Sequence, residues 1–429
     1  LNESDFAGLM DACGPFERNP HVAVAVSGGA DSLALMHLLK AWTVARQGRL
    51  TALTVDHGLR PDSAAEARTV AGWTKAAGIE HHILNWTGDK PQSGLQAAAR
   101  DARYGLLGAW CRTAHVLHLA TAHQLDDQRE TVAMRQARGG GDQAGLAGMS
   151  LITNREGVRL FRPLLGVPAA DLRRFLTALG ANWIEDPSNR QERFERIRWR
   201  QGLEGPLPAP AEIRNWGKQR AHDEEAVADL LMRSADICPA GHVLVDLDVW
   251  QAAPGRLLAP ALWRLMATVS GRDYPPARAP LDRALKNLLT GGSVASLGGT
   301  LIGRWQGKGL ICREAGAVTE ALRTSGLWDC RFQVEWTRSE AGGLVSALGE
   351  VGVAEIGQSG LLRQSSVDIP PLARPALPAV RDATGRLIFV PYLGFDPYGR
   401  GQDAQFRFLP RNSATSSGFT VAYGWPHTI

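Results

Sequence analysis

The sequence predicts an α/β protein: a Rossmann-like parallel-sheet domain, then a mainly helical α+β domain, then a small β-rich C-terminal domain. Three observations lead there. Short apolar runs alternate with helical patterns through the first half of the chain. A Pro-rich stretch, Gly205-Pro-Leu-Pro-Ala-Pro210, then interrupts it, and from about residue 328 the pattern becomes β-like and Pro-punctuated. At 429 residues the chain also exceeds what one hydrophobic core usually serves. The expected domains are 1–205, 211–315 and 328–429.

In the first domain His21–Val26 reads as a buried strand, followed by a helix over Ser32–Arg46 with Leu33, Met36, Leu39 and Lys40 in register. The unit repeats as strand Leu50–Val55 and helix Ala64–Ala77, then strand His82–Asn85 and helix Leu95–Cys111, then strand Val116–Thr121. Such alternation builds a parallel sheet with helices on both faces, whose ligands bind at the carboxyl ends of the strands. In the second domain, helical patterns at 211–233, 256–269 and 279–290 precede a hairpin. Its strands are Thr300–Trp305 and Leu310–Arg313, around Gln306-Gly-Lys-Gly309. The third shows Ala379–Val380 and Leu387–Val390 around Asp382-Ala-Thr-Gly385.

Composition narrows the class. With 44% hydrophobic and 21% charged residues the chain reads as soluble and globular. No apolar run approaches a membrane span, and Leu1–Pro15 has no basic region followed by an apolar stretch, so no membrane partner and no export leader are expected. The cysteines (Cys13, Cys111, Cys238, Cys312, Cys330) are odd in number and scattered, which argues against a disulfide framework or a Cys-x-x-Cys site. A cytoplasmic, reduced protein is the expectation. The net charge of +4 is mild, but residues 151–200 hold ten arginines against six acids and no lysine. Planar guanidinium forks suit phosphate, and a polyanionic partner follows; the alternative is a solvated helix face paired with Glu192 and Glu195.

The most informative segment is His21-Val-Ala-Val-Ala-Val-Ser27-Gly28-Gly29-Ala30-Asp31-Ser32. At a strand–loop–helix junction the first backbone N–H groups point outward, unsatisfied, at the positive end of the helix dipole, which suits phosphate. Gly28 and Gly29 let backbone approach closely, Ser27 and Ser32 can donate to phosphate oxygens, and Asp31 can hold Mg²⁺ beside a pyrophosphate. The plain alternative is a Gly-Gly turn with Asp31 or Ser32 as an N-cap. In His123-x-x-x-Asp127-x-x-Glu130, helical spacing puts three side chains on one face, where two carboxylates can orient a cationic amine and accept its proton. The alternative there is acid enrichment of a helix's first turn.

The string Ser-Gly-Gly-x-Asp-Ser after a buried strand resembles the signature of the PP-loop ATP pyrophosphatases, and no Walker-type Gly-x-x-x-x-Gly-Lys-[Ser/Thr] occurs. That resemblance implies ATP cleaved between its α and β phosphates to leave an adenylated acceptor. Further segments follow in order: Val55-Asp-His57-Gly58-Leu-Arg-Pro-Asp-Ser63, Ala99-Arg100-Asp-Ala-Arg103-Tyr104, and Ala122-His123-Gln-Leu-Asp126-Asp127-Gln-Arg-Glu130-Thr131. After them come Arg138-Gly-Gly-Gly141, Gly145-Leu-Ala-Gly148-Met149, Arg162-Pro-Leu-Leu165 and Glu185-Asp186-Pro-Ser188-Asn189. Over residues 21–200 their order and spacing resemble the tRNA(Ile)-lysidine synthetases.

The resemblance implies an ATP-dependent ligase, with Mg²⁺, that joins L-lysine to C2 of the wobble cytidine of the isoleucine tRNA bearing a CAU anticodon. ATP is expected on Ser27, Gly28, Gly29, Ala30, Asp31, Ser32 and His57, and lysine on Asp127, Glu130 and His123. Arg100 and Arg103 would clamp the developing phosphate charge, and Arg138, Arg162, Arg196 and Arg198 would meet tRNA. The Gly139–Gly148 stretch is expected to be a mobile loop against the base or the ATP. The oligomeric state stays open, a homodimer included. There are departures: Gln124 stands where many relatives have a second histidine, the Gly141–Gly145 spacer is one residue longer, and the arginine stretch after Asn189 is compressed. Past residue 205 the likeness thins to Leu297-Gly-Gly, Cys312-Arg-Glu314, Pro378-Ala-Val-Arg381-Asp382 and Val390-Pro391, in domains expected to grip tRNA. The competing readings are a tRNA-thiolating PP-loop enzyme, which needs reactive cysteines, a small-molecule synthetase, and a non-enzymatic RNA-binding protein.

Overall fold

A computed structural model describes residues 1–88, 90–91, 93–137, 143–155, 157–185, 207–318, 321–336, 343–359, 368–401, 403–415 and 419–422. The expectations for Arg138, Gly139–Gly141, Asp186–Asn189, Arg196 and Arg198 lie outside the described residues. The chain divides into two compact units, Leu1–His222 with Gly418–Ile429, and Asp223–Ser417.

The first unit runs α1 (Glu3–Ala12), β1 (His21–Ala25), α2 (Ala30–Ala45), β2 (Arg49–Asp56), α3 (Ser63–Ala76), β3 (Glu80–Asn85), α4 (Leu95–Thr113) and β4 (His118–Ala120). It continues through α5 (Leu125–Ala137), the short α6 (Gln143–Leu146), β5 (Ile152–Arg155), β6 (Val158–Phe161) and α7 (Ala169–Ala178) into α8 (Pro210–Ser234). The strands order β3-β2-β1-β4-β6-β5; all neighbours pair in parallel except β5, which runs antiparallel to β6 at the edge. Alternation along β1 explains the layers. Val22 and Val24 enter one core with Phe6 of α1, Leu35 and Leu39 of α2, and Leu172 and Leu176 of α7. Ala23 enters the opposite core with Leu107 and Cys111 of α4. Both faces of the sheet are therefore covered, which is why its strands read as apolar runs rather than as alternating ones.

The expected strands and helices are present, with shifted ends. The helix expected from Ser32 begins at Ala30, because Gly29 takes the N-cap position. The helix carrying Asp127 and Glu130 begins at Leu125, so His123 precedes it and does not share its face as expected. The Gly139–Gly148 stretch also departs from a loose loop in its second half, where residues 143–146 are helical.

The second unit takes the rest of α8, then β7 (Ala235–Ile237), β8 (Val243–Val245), α9 (Leu247–Ala252), α10 (Gly255–Ser270), α11 (Arg278–Thr290), β9 (Ala295–Leu297), β10 (Thr300–Trp305) and β11 (Lys308–Arg313). Beyond these lie β12 (Gly326–Trp328), β13 (Phe332–Trp336), β14 (Leu344–Ala347), α12 (Gly349–Ser359), β15 (Pro378–Arg381), β16 (Leu387–Phe389) and β17 (Ala404–Phe408). They form a five-stranded sheet, β7-β8-β11-β10-β9, and two three-stranded sheets, β12-β13-β17 and β14-β15-β16. The β10–β11 hairpin turns on two residues rather than four: Gln306 and Gly307 have φ of 48° and 80°, the double left-handed geometry that matches strand twist. Ala240, Leu310 and Cys312 pack in one cluster with Leu348, Ile356, Leu377 and Val390, so segments 211–315 and 328–429 share core within this unit. Residues 419–422 belong instead to the first unit, where the Leu151 N–H donates to Thr420 O at 2.8 Å and the Thr420 N–H to Ser150 Oγ at 2.8 Å. Among the described residues no helix is long and apolar enough to cross a membrane.

Candidate active site

The carboxyl ends of β1, β2, β4 and β6 lead into Ser27–Ser32, His57, His123–Glu130 and Arg162, while Arg100 and Arg103 come from α4. After β1 the Val26 N–H still bonds to Leu53 O at 2.8 Å, and the buried Thr54 hydroxyl donates to Val26 O at 2.8 Å, fixing where the chain leaves the sheet. Gly28 turns it with φ of 87°, and a Cβ there would meet Ile184 Cδ1 at 2.8 Å and Val70 Cγ2 at 3.0 Å. The Ile184 N–H donates to Gly28 O at 2.9 Å, so the segment after α7 lies against the loop. Gly29 is different. Its φ is −72°, and a Cβ would meet only Ser27 Oγ at 3.6 Å, an ordinary contact. No side chain caps α2, which leaves its first-turn N–H groups for a ligand. Ser32 Oγ donates to Gly29 O at 2.9 Å and lies 3.2 Å from Ser27 Oγ, tightening the loop around those groups.

Asp31, in the first turn of α2, has its carboxyl pushed up to about 6, first by burial and then by Asp127, with Asp126 adding and Arg173 opposing. The second acid, Asp127, sits in the first turn of α5. Gln124 ties the two helices together. Its side chain lies near Asp31 and favours the ionised carboxyl, its Oε1 accepts from the Asp126 N–H, and its own N–H donates to Asp127 Oδ2 at 3.1 Å. The last bond supplies one half of a capping box, so part of Asp127's role is to brace the start of its helix. Gln124 is buried at 6% exposure. Glu130 follows one turn after Asp127 and is half-buried. Among the described residues no three His, Cys, Asp or Glu side chains assemble into a metal-holding group.

On the basic side, His123 follows β4 with its Nδ1 3.2 Å from Thr121 Oγ1. Burial pushes its pKa down to about 3, and Arg162, Arg100 and Arg103 push in the same direction, so the ring is neutral at physiological pH. Arg162, expected to meet tRNA, is 7% exposed. His57, after β2, has a lowered pKa, by burial first and then by Arg103, and its buried Nδ1 has no hydrogen-bond partner. Its ring stands edge-on to Trp86, centroids 5.9 Å apart, and Lys90 Nζ lies 4.2 Å from the Trp86 ring centre.

Behind α5, Gln128 Nε2 donates to Met149 O at 3.0 Å and Gln128 Oε1 accepts the Met149 N–H at 2.6 Å. Arg135 donates to Gly145 O and Gly148 O, both at 2.9 Å. Residues 145–149 are thereby tied to the helix that carries Asp127. Sequence reasoning missed Gln124, Gln128, Arg173 and Ile184. Each acts through a partner distant along the chain, and only Gln124 carried a local signal, as a departure from the family motif.

A PP-loop domain family matches residues 3–205. The chain is 38% identical over 340 residues to a tRNA(Ile)-lysidine synthase of Ruegeria pomeroyi, covering 77% of this chain and 80% of that protein. It is 49% identical over 229 residues to one of Bradyrhizobium diazoefficiens, covering 53% and 60%. Among solved structures, a U34-tRNA thiolase of Methanococcus maripaludis aligns with a TM-score of 0.42 at 20% identity, over 51% of this chain and 78% of that one.

Proposed function

The chain belongs to the tRNA(Ile)-lysidine synthase family of ATP-dependent PP-loop ligases, and on that premise we propose that it joins lysine to C2 of the wobble cytidine in the isoleucine tRNA with a CAU anticodon. The observation that carries this reading is the division of charge across the site. Asp31, Asp126 and Asp127 influence one another on one side, while Arg100, Arg103 and Arg162 surround a neutral His123 on the other. A site that must hold an ammonium and several phosphates together needs that separation.

The phosphates of ATP lie against the uncapped start of α2, with the Ser27 hydroxyl as a donor and Ser32, whose proton goes to Gly29 O, bracing the loop. Asp31 and Asp127 fit Mg²⁺ as the two protein carboxylates of a site completed by phosphate oxygens and water, and their mutual repulsion favours a cation. Held there, the ion would supply charge neutralisation for the pyrophosphate. Cytosine O2 attacks the α-phosphorus and pyrophosphate leaves, while Arg100 and Arg103 steady the charge on the α-phosphate oxygens. The lysine ε-amine, oriented by Asp127 and Glu130, then attacks C2. AMP departs carrying O2, and a carboxylate takes the amine's proton. His123, neutral throughout, serves as a hydrogen-bond partner and not as a proton donor. The product pairs with AUA in place of AUG. His57, with a buried Nδ1 that has no hydrogen-bond partner, is assigned to the nucleotide.

Sulfur transfer would need an available thiolate. Burial pushes Cys13, Cys111 and Cys312 up to about 12 and raises Cys238, which makes four of the five thiols poor nucleophiles. The test is incubation with ATP, Mg²⁺, labelled lysine and the CAU-anticodon isoleucine tRNA, beside the same tRNA with its wobble cytidine replaced. Label in the first tRNA alone, with AMP and pyrophosphate released, is expected. ATP cleavage without label in either tRNA would sink the assignment of acceptor and amine.

A further inference from the structure

More positive charge gathers beside the site than the reaction above employs. The guanidinium carbons of Arg100, on α4, and Arg155, at the end of β5, lie 5.2 and 5.3 Å from the centre of the Tyr104 ring. The Tyr104 hydroxyl also lies close enough to Arg162, just after β6, to favour its charged form. Arg162 spends one terminal nitrogen on Ser150 O at 2.8 Å and Thr153 Oγ1 at 3.1 Å, but its buried Nε has no partner. Among the described residues Arg100, Arg155 and Arg162 form no ion pair with an acid. Three like charges around one ring repel, and Arg162 is 7% exposed, so its charge is largely stripped of water. Stacking on the tyrosine face offsets part of this cost. The remainder asks for an anion, because an orphaned buried donor is costly until a partner is supplied.

The sheet order says which anion. The ATP loop follows β1, whereas Arg155 ends β5, three strand positions away in the order β1-β4-β6-β5. Arg155 also pairs with Val158, at the amino start of β6, so its backbone stands off from the loop at β1 both across the sheet and along the strands. Arg155 is exposed while Arg162 is buried, so the cluster opens to solvent on one side and is rigidly backed on the other. An extended strand can enter such a place.

We propose that Arg100, Arg155 and Arg162, arranged around Tyr104, seat a backbone phosphodiester of the RNA next to the reacting cytidine, apart from the loop that takes the ATP phosphates. The inference rests on the RNA-modifying function proposed above. A base drawn out of its stack is presented accurately only if the flanking backbone is fixed, and bidentate guanidinium forks do that independently of sequence. Arg100 then spans both roles, touching the seat with Tyr104 and facing the nucleotide with Arg103.

The test uses the full chain and a fluorescent anticodon stem-loop RNA, with anisotropy followed across a salt series. Arg155→Ala is expected to weaken binding about 5- to 10-fold and to flatten the slope of log K against log salt by about 0.7, one phosphate's share on a single strand. KM for ATP and for lysine should stay within about twofold, in keeping with a contact made to backbone phosphate alone. Arg155→Lys should restore the slope and part of the affinity. Tyr104→Phe, which keeps the ring and drops the hydroxyl on Arg162, should weaken binding with the slope unchanged. A wild-type enzyme that transfers lysine while Arg155→Ala keeps full RNA affinity and slope overturns the seat and leaves the function standing. A raised KM for lysine with unchanged RNA binding would give the anion to the amino acid's carboxylate, and a raised KM for ATP would give it to the nucleotide; either overturns the proposal. A wild-type chain that neither binds the stem-loop nor transfers lysine overturns both readings.

Discussion

A methyl group added at Gly28 would meet Ile184 at 2.8 Å on a backbone at φ of 87°, whereas one added at Gly29 meets only Ser27 Oγ at 3.6 Å. The first glycine is therefore demanded by the protein's own packing. The second is demanded only if something outside the protein approaches the loop. Gly28→Ala is expected to lower Tm by the equivalent of about 1–3 kcal/mol, the range for strain at a special φ. Gly29→Ala should leave Tm unchanged and weaken ATP binding, read by nucleotide titration. Equal thermal losses in the two variants would contradict this division. Asp31 shows the same tension between packing and ligand. Its pKa is about 6 in the fold against 3.8 for an unperturbed aspartate, so between these values the folded chain keeps a proton that the unfolded chain has released. Stability of the ligand-free protein from this group accordingly falls as pH rises through that window, and the loss is complete above pH 6. Asp31→Asn should raise Tm at about pH 7.5 while abolishing pyrophosphate release. In the wild type the acid limb of activity should move to lower pH as Mg²⁺ is raised, because a bound cation favours the ionised carboxylate. A limb insensitive to Mg²⁺ would remove Asp31 from the metal's ligands.

At the scale of elements, α5 does two jobs from neighbouring faces. Its start holds Asp127 beside Asp31 through Gln124, and its back holds residues 145–149 through Gln128 and Arg135. Asp127 serves as a capping oxygen and as a charge, and substitution can separate the two. Asp127→Asn keeps an oxygen for the Gln124 N–H and removes the charge, so Tm should hold while lysine transfer falls by about 10²-fold or more. Asp127→Ala removes both and should also cost about 1 kcal/mol of stability, the usual value of a lost cap. If Asn retained full transfer, the acid would be a cap alone. The edge strand β5 adds a second case of one element with two neighbours, pairing with β6 while its end delivers Arg155 to the Tyr104 cluster.

Over the whole molecule, polar chemistry is distributed unevenly between the two units. The first concentrates acids and arginines at the carboxyl edge of a parallel sheet. The second buries its principal ionic cluster: Asp329 accepts from Arg313 at 2.8 Å and from Arg331 at 2.6 Å, with Arg331 only 1% exposed. Such a network is costly to desolvate and costly to break, and it restricts the ways the chain around Asp329 and Cys330, both at positive φ, can pack. That cluster lies between residues 313 and 331, across the boundary expected from sequence, as does the apolar cluster joining Leu310 and Cys312 to Leu377 and Val390.

The sequence by itself determined the alternating strands and helices of residues 21–121, the strand–loop–helix at Ser27–Ser32, and the family motifs. Those depend on local periodicity, on turn residues, and on side chains close in the chain. It missed the start of α5, because helical spacing from His123 to Glu130 does not say which residue caps, and the bonds of Gln124 decided that. It divided residues 211–429 by composition, whereas burial of one apolar cluster from both sides of residue 320 decides what packs together. Tertiary structure alone brought Gln124 to Asp31, Ile184 to Gly28, and Arg155 to Tyr104 and Arg100. Each pairing joins segments separated by tens of residues, and long-range contacts of that kind leave no local period in the chain.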